Sequence, residues 1–66
     1  MAWKLVDNQR DYVVWMNHYD LSVVVRKEKG IWVSFAFLNT MTKELHPDGG
    51  TKKAHVAAAR KYMKTH

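Results

Sequence analysis

The chain has no cysteine, one proline, three glycines and only six carboxylate side chains among 66 residues. Without cysteine there is neither a disulfide framework nor a thiolate zinc site, so the folded state must rest on apolar burial, within the chain or against a partner. A chain of this length buries only about 60% of the surface its unfolded form exposes, so each apolar residue counts. No apolar run approaches the roughly 20 residues of a membrane span. The start, Met1-Ala2-Trp3-Lys4, lacks the basic-then-apolar order of a secretory signal. The expectation is a cytoplasmic protein with no membrane partner. Internal repeats and low-complexity tracts are missing too, which leaves one small domain over residues 1–66.

The same scarcity extends to chemistry. The four histidines, His18, His46, His55 and His66, show no i, i+4 pair and no accompanying carboxylate pair, so no metal site is expected. Gly49-Gly50-Thr51-Lys52-Lys53 lacks the spacing of a phosphate-binding loop, and no cofactor motif is present. Ser22 and Ser34 fall on sheet segments without an oriented base or a cleft, so the chain is not expected to be an enzyme.

What is abundant is positive charge and β-forming residues. Eleven Lys and Arg against six Asp and Glu give a net charge of +5, which favours nucleic acid, anionic surfaces or acidic proteins as partners. Residues 52–66 hold five Lys and Arg and no carboxylate side chain. Segments rich in β-branched and aromatic residues at Trp3–Val6, Tyr12–His18, Leu21–Lys27 and Ile31–Leu38 predict strands, with a further short one around Lys43–Leu45. The polar breaks between them suit hairpins. His46-Pro47-Asp48-Gly49-Gly50 ends the sheet, Thr51 is a candidate N-cap, and Val56, Ala59, Tyr62 and Met63 recur at helical period. The reading is α+β: an antiparallel β-meander of three to five strands (residues 3–45), packed on one face by a single C-terminal helix (residues 51–65).

Loop lengths then set expected faces. Closing Glu28-Lys29-Gly30 as a three-residue loop places Lys27 opposite Ile31, Val25 opposite Val33 and Val23 opposite Phe35. A two-residue Tyr19-Asp20 loop sets Met16 beside Val23 and Val14 beside Val25. That face is nearly all apolar and is the expected core. The second face carries Trp15, Arg26, Trp32, Ser34, Ala36 and Leu38. It is either an aromatic and cationic platform for stacked bases, with Lys27, Lys29 and Lys43 tracking the backbone, or a surface covered by the N-terminal segment or a dimer partner. On the helix, Lys53, Ala57, Arg60, Lys61 and Lys64 project away from the apolar stripe. The segment Gly49-Gly50-Thr51-Lys52-Lys53 either holds a phosphate at the helix start or is a plain turn followed by a capped helix.

From Val24 on, VVRKEKGIWVSFAFL followed by GGTKKAHVAAARKYM resembles the sheet-plus-helix DNA-binding domains of plant ethylene-response factors and the arm-type N-terminal domains of tyrosine integrases. The likeness rests on Val25-Arg26, Gly30, Trp32, Phe35 and Thr51, then on residues 57–62. It implies three strands entering the major groove with a helix behind them, Arg26, Trp32, Ser34, Lys27 and Lys43 on DNA, and DNA ahead of RNA as the target. Ala36 and Leu38 stand where that pattern has polar residues.

Two functions follow. The first is a small basic nucleic-acid-binding protein, with Arg26, Lys27, Lys29, Trp32, Ser34, Trp15 and Lys43 toward the nucleic acid and Thr51, Lys52, Lys53, Arg60 and Lys64 toward phosphates. The second is a protein-interaction module, of the kind formed by small phage-type accessory or inhibitor proteins. It would bind itself, as a homodimer through the Trp15/Trp32 face, or a host protein.

Overall fold

The computed structural model describes residues 3–17 and 19–66. Five strands, β1 (Lys4–Gln9), β2 (Tyr12–Met16), β3 (Ser22–Glu28), β4 (Ile31–Leu38) and β5 (Met41–Glu44), precede one helix, α1 (Lys52–Thr65). The strands form a single open antiparallel sheet in the order β1-β2-β3-β4-β5. The fold is α+β, a meander with α1 packed against β3 and β4.

Element boundaries shift in ways that backbone geometry explains. β1 continues beyond the expected Val6 to Gln9, because a bulge at Val6 keeps the ladder in step and leaves Arg10-Asp11 as the turn. β5 begins at Met41, after a turn in which Asn39 takes φ 46°. Leu45, expected within that strand, leaves it to join the core, and its N–H donates to the Ser34 carbonyl at 3.1 Å. The expected end of the second strand at His18 lies outside the described residues.

Both predicted hairpin registers are one residue off. Glu28 pairs with Ile31, so the β3–β4 loop is the two-residue Lys29-Gly30. Its φ values of 51° and 81° are both positive, as the tight hairpin turn that matches strand twist requires. Met16 pairs with Ser22, so the β2–β3 connection is longer than Tyr19-Asp20. Asn17 organises it: its N–H donates to the Leu21 carbonyl, and its Oδ1 accepts the N–H groups of Tyr19 and Leu21. One loop is shorter and the other longer than expected, so β3 alone turns over relative to its neighbours.

The core therefore lies on the opposite side of β2 and β4 from the one expected. Val13, Trp15, Val23, Val25, Ala36 and Leu45 are buried with Ala59 and Tyr62 of α1, flanked by Trp3, Trp32, Leu38, Val56 and Met63. Val14, Met16, Val33, Phe35 and Phe37 share the other face with Val24 and Arg26. No helix covers that face, and Phe37 is 45% exposed.

Candidate nucleic-acid interface

The helix is built to hold one side down. Thr51 is extended (φ −90°, ψ 159°), and its Oγ1 accepts the Ala54 N–H at 3.1 Å, closing the first turn. Burial of His55, Ala59 and Tyr62 fixes the helix rotation. The opposite side then carries Lys53, Ala57, Arg60, Lys61 and Lys64, all exposed, as the helical projection requires. The helix has no carboxylate side chain, and among the described residues the one ion pair is on the sheet, between Arg26 and Glu28. Lys61, which the sequence reading placed on this side without assigning it a phosphate, stands with the other three cations.

Around the helix the remaining predicted residues separate into three groups. Lys27 pairs across the ladder with Trp32, and Lys43 with Ala36, so both lie on the helix side and both are exposed. The Lys43 ammonium stands 5.9 Å from the Tyr62 ring, beside the C-terminal half of α1. Lys29 is exposed in the β3–β4 turn. These three extend the positive side beyond the helix.

Lys52 is engaged within the molecule. Its Nζ donates to the carbonyls of Gln9 and Arg10 at 3.1 and 3.0 Å, and it stands 5.8 Å from the Trp32 ring. It ties the helix start to the β1–β2 turn. Gly49 and Gly50 adopt no left-handed backbone, and Gly50 has nothing within 4 Å of the position a Cβ would take. The helix start is thus a capped turn, with no glycine-dependent cradle for an anion.

The expected aromatic platform is not assembled. Trp15 is buried in the same core cluster as Val13 and Val23, and Trp32 is half-buried at the edge of that cluster. Arg26 lies on the opposite face of the sheet, where it donates to Glu28 Oε2 at 2.9 and 3.1 Å and stands 5.4 Å from the Phe35 ring. The physical reason is the register: with β3 turned over, Arg26 moves away from Trp32 and Lys27 takes its place. On the Trp15/Trp32 side, where a homodimer contact was expected, α1 lies against β3 and β4.

Ser34 is 3% exposed and its Oγ lies 2.7 Å from His55 Nδ1, a hydrogen bond between β4 and the first turns of α1. Burial holds the His55 imidazole below its ordinary pKa of 6.5, since a charged ring in that position loses its water. Burial likewise pushes the Tyr62 phenol up. Tyr62 also stacks on His66, ring centroids 4.1 Å apart. An open cleft beside β4, where β5 ends, is bordered by Trp32, Val33, Glu44, His46 and Pro47 and reaches the Ser34–His55 pair from outside. No local pattern announces that pair, since it joins residues 21 positions apart across the helix–sheet joint. No group of three or more His, Asp or Glu side chains that could hold a metal ion occurs among the described residues. Compared with protein-family models, with curated proteins and with solved structures, the chain matches none.

Proposed function

We propose that the chain binds nucleic acid through the phosphate backbone, with the outward side of α1 as the contact surface. One observation carries this reading: Lys53, Arg60, Lys61 and Lys64 are exposed together, with no acidic residue on the helix to neutralise them. Lys27, Lys29 and Lys43 flank that strip and widen it. Cations on a rigid helix meet phosphates without losing an internal partner, and each contact releases condensed counterions. Such contacts position a protein on nucleic acid and read no base edges. The open sheet face is a poorer surface for a groove: Lys4 and Arg26 there are outnumbered by Asp7, Glu28 and Glu44. The proposal therefore uses the helix side, whereas the resemblance to sheet-reading DNA-binding domains implies the sheet.

Fluorescence anisotropy of a labelled duplex, titrated between about 50 and 200 mM salt, tests the reading. Four phosphate contacts give a log–log slope of about −4, shared by unrelated sequences. Replacing Lys53, Arg60, Lys61 and Lys64 with Gln should flatten the slope toward zero while leaving the thermal melt in place, because these side chains are exposed. A salt-independent affinity, or a four-residue variant that binds as the parent does, overturns the proposal.

A further inference from the structure

The side of the sheet away from α1 presents an apolar band that the helix does not cover. Val14 and Val24 lie at its centre and are themselves nearly buried by their neighbours, with Met16, Val33 and Phe35 half-buried and Phe37 exposed around them. Ile31 is 67% exposed, Phe37 45% and Tyr12 38%. Phe35 and Phe37 meet edge to face at 4.9 Å and stand as one aromatic ridge. Exposed apolar side chains gathered on one face in this way mark an interaction surface.

From this face we infer that the occupant is a second copy of the same chain, packed sheet to sheet about a two-fold axis. Charge selects that partner. Arg26 is ion-paired in place with Glu28 and stands over the Phe35 ring, so its charge asks for no external anion. At the margins, Lys4 and Asp7 lie on β1 and Glu44 on β5 at the opposite edge, so the patch carries both signs, as a self-complementary interface needs. Two cations face three carboxylates there, which leaves nine cations against three carboxylates on the rest of the molecule. A nucleic acid or an anionic membrane is drawn to that other side.

Geometry agrees. Sheets stack about 10 Å apart, and a helix layer lies about 10 Å behind each sheet, so the two cationic helices sit on the outside, about 30 Å from one another. That is several Debye lengths at physiological salt, and the mutual repulsion of the two copies is screened. Any helix-first approach would oppose the two strongest positive surfaces directly. Five strands at about 4.8 Å, each about 20 Å long, offer roughly 500 Å² of footprint per copy. The total of about 1,000 Å² is at the lower limit of specific interfaces, so the dimer should dissociate on dilution through the micromolar range.

Sedimentation equilibrium on nuclease-treated protein, from about 1 to 500 µM, tests this. The expected result is a mass rising from 7.7 kDa to twice that value. Phe37→Glu and, separately, Ile31→Lys should remain at the monomer mass throughout with unchanged circular dichroism, since both side chains project from the face. The variant with Lys53, Arg60, Lys61 and Lys64 changed to Gln should still dimerise, which separates this inference from nucleic-acid binding. A parent that stays monomeric at every concentration, a dimer that survives both sheet substitutions, or open-ended association would overturn it.

Discussion

Ser34→Ala tests the arrangement of the core directly, because it removes one atom from a joint that the sequence did not reveal. The Oγ lost is 2.7 Å from His55 Nδ1, and both residues are buried. One partner of a buried polar pair would then be left unsatisfied, at a cost of about 1–3 kcal/mol. A chain of this size has roughly 3–10 kcal/mol of total stability, and each kcal/mol moves the melting temperature of a domain this small by about 4–8 °C. Thermal unfolding followed by circular dichroism should therefore show a drop on the order of 10 °C. Ser34→Ala combined with His55→Leu removes both polar groups at once and should recover much of that loss, since an apolar pair of similar shape leaves nothing unsatisfied. A single variant melting within about 2 °C of the parent, or a double variant as unstable as the two single losses added together, would refute the reasoning. The pair also predicts the direction of pH dependence. The folded pKa of His55 lies below the ordinary 6.5, so the unfolded chain takes up the proton first as pH falls. The contribution is fully present above about pH 6.5 and declines below it, by at most about 1.4 kcal/mol per pH unit from this one group. His55→Leu should abolish that part of the slope.

Three further outcomes follow from the packing. Trp15→Ala should cost about 3–5 kcal/mol and leave the chain largely unfolded at 37 °C by circular dichroism, because the indole fills the core beneath α1; a folded Trp15→Ala protein would contradict the observed face. Lys52→Met should lower the urea midpoint by the equivalent of about 1 kcal/mol, as the Gln9 and Arg10 carbonyls lose their donor; no change would mean that the tie to the β1–β2 turn contributes nothing. Gly30→Ala should destabilise by about 1 kcal/mol on backbone conformation alone, since φ is +81° and a Cβ there would meet no atom within 4 Å; a neutral result would place the strain elsewhere.

The helix was the most legible part of the chain. One side of it is buried and the other is not, so a single period of 3.6 residues separates Ala59 and Tyr62 from Lys53, Arg60 and Lys64 without reference to anything distant. The strands were legible as segments for a similar local reason. β1 was the exception, since Asp7, Asn8 and Gln9 read as a break, yet a bulge carries the ladder through them. The Ser34–His55 hydrogen bond and the engagement of Lys52 were invisible because each depends on where α1 is placed along the sheet, which no local pattern encodes.

The faces of the sheet were harder, and Val23-Val24-Val25 is the reason. An alternating strand reports its own register, since shifting it by one residue exchanges apolar for polar on the buried side. Three consecutive valines read as apolar in either setting, so β3 fits β2 and β4 equally well in both. The flanking β2 and β4 are themselves apolar on both sides, Trp15 and Val14 in one, Ala36 and Phe35 in the other. Agreement between two loop assignments was therefore no independent check, because both errors turned the same strand. What resolves β3 is its polar end. With Glu28 paired to Ile31, Lys27 falls on the helix side with Lys43, while Arg26 and Glu28 fall together on the open side with Glu44. A one-residue loop change would exchange them, placing the Arg26–Glu28 pair next to Trp32 and a lone lysine among the phenylalanines. The separation of a cationic side from a self-neutralised apolar side, on which both proposed contacts depend, thus rests on the two positive-φ residues, Lys29 and Gly30, that close that hairpin.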